Sequence, residues 1–279
     1  MTDTGLTTVP RYDALLRRHH LHSLDALFAL PNDAALGKPG LEPWRERLRI
    51  TLRDGDTDRT FYLKRFRNPP SSARREVRRS GSGARSIAGV EWAWMQRLTA
   101  DGILCTQPVA FGEEIVNQRE RRSAVLTAGA PGRSLEAWAG EWTTDDRPRV
   151  RGLLEPLAEL IRRFHGCGYV HRDLYLSHIF FDPSAPTTER FRLIDLQRVM
   201  KAEAGTRRWI VKDLAALNYS VPSPFATDTD RLRWLTRYLG FRKLDAAARR
   251  LVYRVVGKTQ RIAWHDAHRA VRRVRTETA

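Results

Sequence analysis

Cysteine is nearly absent. Cys105 and Cys167 are the only two in 279 residues, and neither has metal-ligand spacing. That excludes a disulfide-stapled scaffold and a cysteine-built zinc site, and a reduced, cytosolic setting is expected. Long apolar runs are missing too: none approaches the ~20 residues of a membrane span. No charged-then-apolar leader follows Met1, so no secretory signal is expected. Lysine is scarce, confined to positions 38, 64, 201, 212, 243 and 258. The basic excess is therefore mostly arginine, which a biased genome composition also produces. Internal repeats and low-complexity tracts are absent.

What is present begins with charge. Lys plus Arg is 49 against 32 Asp plus Glu, a net charge of +17. Such a balance suits anionic partners: nucleic acid, an acidic membrane face or a phosphorylated substrate. An apolar fraction of 42% is enough for a core and argues against disorder throughout. The length fits one two-lobed domain or two small ones.

Strand signals come first along the chain and helix signals later. After short helices within residues 1–30, broken at Pro31 and Gly37-Lys38-Pro39-Gly40, Arg47 to Leu52 and Thr60 to Phe66 read as a hairpin around Asp54-Gly55-Asp56. Asn68 to Gly83 reads as a mobile, Arg-rich linker. Ile87, Val90, Trp94 and Leu98 recur at helical spacing. Val109 to Phe111 and Ser123 to Thr127 read as strands, and Gly129-Ala130-Pro131-Gly132 as a hinge. Helices are expected over 134–139, 150–165 (with Pro156 kinking it or marking its start), 209–217, 229–239, 245–256 and 258–274.

The chemistry concentrates in Tyr169-Val170-His171-Arg172-Asp173-Leu174-Tyr175-Leu176-Ser177-His178 and Leu193-Ile194-Asp195-Leu196-Gln197. A His-Arg-Asp loop followed by an Asp at the end of an apolar strand forms the two halves of a kinase active site. Between them, Ile179 to Phe181 and Phe191 to Ile194 flank an Asp182-Pro183 turn, which predicts a hairpin joining the carboxylates. One carboxylate must orient and deprotonate the attacking hydroxyl; the other must hold Mg²⁺ on the nucleotide phosphates.

Such a site also needs a cation on the phosphates, carried on a strand. Lys64, within Phe61-Tyr62-Leu63-Lys64-Arg65-Phe66, supplies it, and Arg65 must face the other way because side chains alternate. Glu91 is the lone acid of the 87–98 helix. On an apolar face it is costly unless paired, and Lys64 is the expected partner. Asp213, a lone acid in Trp209 to Leu217, is expected to hydrogen-bond the backbone of the His171-Arg172-Asp173 loop. The tryptophans of 138–142 read as core rather than as a nucleic-acid stacking face.

With these residues in hand, the chain resembles the lipopolysaccharide core kinases, which phosphorylate heptose or Kdo sugars and form a divergent branch of the protein-kinase-like fold. The resemblance runs from about Arg47 to Leu217 and is strongest over Tyr169–Arg198 and Trp209–Leu217. Its specific marks are His-Arg-Asp-x-Tyr-x-x-His, and Ile-Asp-Leu-Gln-Arg in place of Asp-Phe-Gly. It implies Asp173 as catalytic base, Asp195 as Mg²⁺ ligand, Lys64 as phosphate-binding lysine and Glu91 as its partner, with ATP and Mg²⁺ as cofactors. His171, Arg172 and Asp213 would support the loop. Two departures from ordinary protein kinases stand out: Tyr175 occupies the position of a lysine near the γ-phosphate, and His178 that of the Asn on a second Mg²⁺. Mg²⁺ prefers oxygen ligands, so His178 joins the metal site as a poor direct ligand or through water. No phosphate-covering glycine loop precedes Lys64.

The expected architecture is thus α+β and two-lobed: a small β-rich first lobe with one main helix over residues 1–128, and a mostly helical second lobe over 129–279. The short interval from Asp195 to Asp213, with no Ala-Pro-Glu motif, leaves little room for a peptide platform. A sugar or glycolipid acceptor fits better, approached from the cytoplasm at an anionic inner-membrane surface. The alternatives are an aminoglycoside- or choline-type phosphotransferase and a nucleotide-binding pseudokinase. A nucleic-acid partner has only composition behind it.

Overall fold

The computed structural model describes residues 5–31, 36, 42–201, 207–222, 226–240 and 244–277, and leaves the side chains of 144 and 269–277 undescribed. The breaker at residues 37–40 lies outside the described residues, as do the side chains of Arg269, Arg272, Arg273 and Arg275, the C-terminal arginines expected, with Arg74, Arg75, Arg78 and Arg79, to meet anionic headgroups. The fold is mixed α/β, with its largest sheet in the N-terminal region. The chain divides into two compact units: Met1–Ala130 with Leu193–Lys201, and Pro131–Arg192 with Ala202–Ala279.

In the first unit, β1 (Thr7–Thr8), α1 (Pro10–Arg18) and α2 (Leu24–Ala29) precede a hairpin of β2 (Arg45–Asp54) and β3 (Thr57–Arg67). Gly55, at φ 61°, supplies the left-handed turn residue that the two-residue connection needs. Next come α3 (Ser71–Arg79), α4 (Ile87–Ala100) and a second hairpin, β4 (Pro108–Val116) with β5 (Arg119–Ala128). Its tip puts both Asn117 and Gln118 at positive φ, as a primed turn requires. The sheet order is β1-β4-β5-β3-β2. Leu48, Phe61, Leu63 and Leu126 pack with Leu16, Leu24 and Leu27 of the two short helices. Arg65 shares that buried face and donates to the carbonyls of Leu27, Phe28 and Leu30 at 3.2, 3.1 and 2.9 Å. It thereby satisfies the exposed carbonyl end of α2.

The expected linker is instead partly helical. α3 begins at the Pro70 N-cap and buries Val77. The arginines that suggested a solvated tether have good helix propensity and line the outer side. Arg75, Arg78 and Arg79 are exposed and Arg74 is half-buried.

In the second unit, β6 (Arg133–Ser134) leads into α5 (Leu135–Glu141) and α6 (Arg147–Gly166). Pro156 lies inside α6 rather than at its start; the helix begins about two and a half turns earlier, with Pro148 in its first turn, where a missing N–H costs nothing. The short strands β7 (Tyr169–Val170), β8 (Ile179–Phe181) and β9 (Phe191–Leu193) follow, while β10 (Met200–Lys201) belongs to the first unit. β8 lies between β6 and β9 in a three-stranded sheet. At Gly132 a Cβ would sit 2.1 Å from the carbonyl oxygen of Phe181, so no side chain fits there.

The unit closes with α7 (Arg207–Ser220), α8 (Asp228–Leu239) and α9 (Ala246–Glu277). The two helices expected over 245–274 are one: Gly257 does not interrupt α9. A mid-helix glycine costs about 1 kcal/mol. Burial of Val255 and the bond from Asn218 on α7 to Thr259 hold the helix on either side of it. Among the described residues, no helix is long and apolar enough to cross a membrane.

Candidate active site

The first unit gathers Lys64, Glu91, Asp195 and Arg47. Strand alternation turns Lys64 away from the Phe61–Leu63 face. Its ammonium donates to Glu91 Oε1 and Oε2 at 2.8 and 2.9 Å and to Asp195 Oδ1 at 2.7 Å. Three donors meet three carboxylate oxygens, the full capacity of an ammonium. Burial alone would lower the Lys64 pKa, but the Asp195 and Glu91 charges outweigh it and the net shift is upward. The lysine is therefore a fixed cation across the physiological range. Arg47 Nη2 lies 3.5 Å from Asp195 Oδ2.

Two features aim this cluster. Leu193 is held in bridge-like pairing, its N–H to Leu104 O at 3.0 Å and its carbonyl accepting from Thr106 N at 2.9 Å. Asp195 then turns to φ 56°, ψ 60°, a left-handed conformation that costs a non-glycine residue roughly 1–2 kcal/mol. Glu91 is set by α4, whose first turn is anchored from β5. The buried Glu120 accepts from the Ile87 amide at 3.0 Å and from Ser123 Oγ at 2.5 Å. Burial, partly offset by those two bonds, pushes Glu120 up to about 7.

The second unit gathers the His171-Arg172-Asp173 loop. Asp213, fully buried on α7, accepts the His171 amide at Oδ2 and the Arg172 amide at Oδ1, both at 2.7 Å. This two-pronged clamp meets the loop where Arg172 takes φ 70°. His165 Nε2 lies 3.4 Å from Asp213 Oδ2, and its Nδ1 lies 2.8 Å from the Tyr238 hydroxyl. Burial first, then the Asp213 charge, pushes the Tyr238 phenol upward, so the hydroxyl keeps its proton. The Leu176 amide donates to Ser220 Oγ at 3.0 Å. Asp173 Oδ1 sits 3.5 Å from Lys212 Nζ, which also donates to the Arg172 carbonyl. The Arg172 guanidinium lies 4.9 Å over the Trp209 ring.

His178 stacks on His171 with ring centroids 5.8 Å apart, and its Nδ1 is 2.7 Å from the Asp173 carbonyl. A carbonyl only accepts, so Nδ1 carries the hydrogen and is not a ligand atom. Among the described residues, no three or more His, Cys, Asp and Glu side chains gather as for a metal ion. Mg²⁺ on nucleotide phosphates needs only one or two protein carboxylates, and the partly exposed oxygens of Asp195 suit it.

Sequence reasoning missed Arg47, Lys212, Ser220 and the His165–Tyr238 pair. Arg47 was accessible in principle, because it pairs with Lys64 once the hairpin register is fixed by the turn at Gly55. Nothing in the sequence set Ser220 or Tyr238 apart.

Comparison with known proteins points one way. The model of the lipopolysaccharide kinase (Kdo/WaaP) family matches residues 51–238. The lipopolysaccharide core heptose(I) kinase WaaP of Pseudomonas aeruginosa is 34% identical over 154 residues, covering 53% of this chain and 58% of that protein. The chain thus spans less than two thirds of that relative's length. WaaP of Escherichia coli is 30% identical over 206 residues, covering 71% of this chain and 77% of the relative. A solved structure described as WaaP in complex with acyl carrier protein is similar with a TM-score of 0.61 and 25% identity, over 94% of this chain and 97% of that one. A family match over most of the chain decides membership: the chain belongs to the lipopolysaccharide kinase (Kdo/WaaP) family.

Proposed function

We propose that the chain is an ATP-dependent kinase that transfers the γ-phosphoryl group to a sugar hydroxyl of a lipopolysaccharide inner-core glycolipid, heptose being the acceptor named for its relatives. The observation that carries the reading is the Lys64 ammonium, held between Glu91 and Asp195. In this reading residues 1–128 and 129–279 are the two lobes of a kinase, and Lys64 steadies the α- and β-phosphates. Asp195 would hold Mg²⁺, which would neutralise charge on the transferring group. Asp173 orients the sugar hydroxyl and takes its proton as the new oxygen–phosphorus bond forms. The bond to the β-phosphate oxygen breaks, and ADP leaves. Asp213 and His171 keep the Asp173 loop in place. The test is a phosphate-transfer screen against core glycolipids, free sugars and proteins with an Asp173→Ala control. Transfer to the glycolipid or sugar is expected; transfer to protein alone would sink the reading.

The acceptor's setting is part of the proposal. The enzyme works on the cytosolic side, held peripherally at an anionic membrane surface. Exposed Arg75, Arg78 and Arg79 on α3 support this, as do Arg250, Arg254 and Arg261 beside exposed Tyr253 and Trp264 on α9. Each such charge contributes about 1 kcal/mol near an acidic bilayer. Co-sedimentation with anionic liposomes is expected at low salt, and its loss at ~1 M salt, where the Debye length is about 3 Å. Equal binding to neutral liposomes would leave the charge without that role.

An acylated partner is a second element. The second unit carries a partly open apolar pocket of about 700 Å³ lined by Leu153, Leu157, Leu176, Leu214, Trp234 and Val255, among others. Such a lining suits an acyl chain, and the solved relative is described with acyl carrier protein. Protection of the purified chain against heat by acylated, but not by unacylated, carrier protein would support it; no protection by either would remove it.

A further inference from the structure

Tyr175 leaves the loop without the cation that the generic kinase loop carries two residues after its Asp. The second unit nevertheless brings an ammonium to the same carboxylate from another element. Lys212 Nζ lies 3.5 Å from Asp173 Oδ1 and donates to the Arg172 carbonyl. Its neighbour in sequence, Asp213, clamps the amides of His171 and Arg172, so one short piece of α7 fixes both the loop's backbone and the charge beside Asp173. The Trp209 ring centroid lies 6.0 Å from Nζ. Both partners keep partial exposure, 22% for Lys212 and 23% for Asp173, so an anionic group has access to them.

We propose that Lys212 is a positioning residue for the acceptor-activating carboxylate: it supplies from α7 the positive charge that position 175 lacks and holds the Asp173 side chain aimed. The ammonium meets the Arg172 carbonyl and the Asp173 carboxylate at once, tying that side chain to its own loop. The second partner here is the carboxylate that the proposed chemistry uses. This inference rests on the kinase reading.

The experiment measures kcat and KM for ATP for the wild type and for Lys212→Met, Lys212→Gln and Lys212→Arg, with Asp173→Ala as control. In both uncharged variants kcat is expected to fall about tenfold or more, with KM for ATP within twofold. Lys212→Arg should recover most of the wild-type kcat. Gln can still donate to the Arg172 carbonyl but carries no charge, so it separates charge from hydrogen bonding if the Met variant fails to fold. A wild-type kcat in Lys212→Gln would overturn the proposal while leaving the kinase reading intact. Wild-type turnover in Asp173→Ala would overturn both.

Discussion

Asp173→Ala and Asp195→Ala are each expected to lower phosphate transfer by ~10²-fold or more. The two should differ in how they fail. Asp195→Ala removes the carboxylate that meets Lys64 at 2.7 Å and the proposed Mg²⁺ ligand, so Mg²⁺-dependent nucleotide affinity should fall with turnover. Asp173 lies instead in the second unit, 3.5 Å from Lys212. Asp173→Ala should therefore bind nucleotide as the wild type does and lose only the chemical step. Calorimetric nucleotide titration alongside initial rates separates these outcomes. Wild-type turnover in both variants would remove the assignment of these carboxylates.

Asp213→Ala should have the largest effect on stability, roughly 3–5 kcal/mol. The side chain is fully buried and accepts two backbone amides at 2.7 Å. Truncation leaves the buried His171 amide and the part-buried Arg172 amide without this acceptor, and releases a loop whose Arg172 already occupies left-handed space. Asp213→Asn keeps one acceptor oxygen and should fall between the two. Chemical denaturation measures the difference. A cost below about 1 kcal/mol would mean that the loop finds other acceptors, and that Asp213 is not its anchor.

Where sequence reasoning reached the structure, it did so through polar residues in apolar surroundings. Glu91 on an apolar helix must be paired or pay desolvation, and Lys64 was the available cation on a strand. Asp213 was legible for the same reason. Lys212 was not, because adjacent helical residues point about 100° apart and a lysine beside an acid reads as a solvated pair. Arg47 depended on hairpin register, which one residue of slip would have reversed. Only Val77 commits α3 to the core, so its Ser- and Arg-rich composition resembled a tether. Gly257 suggested a break in α9, but packing on either side overrides a propensity cost of about 1 kcal/mol. The loop-supporting contacts of Ser220 and Tyr238 come from far along the chain. Only tertiary structure reveals them.

The central claim is that this chain phosphorylates a sugar of the lipopolysaccharide inner core through Asp173. The most direct measurement is the mass of a purified, unphosphorylated core glycolipid after incubation with ATP, Mg²⁺ and the enzyme. The account predicts a gain of one phosphate on the heptose region with the wild-type chain and none with Asp173→Ala. A glycolipid that stays unmodified while the same preparation phosphorylates another acceptor, or one modified equally by both chains, would contradict it.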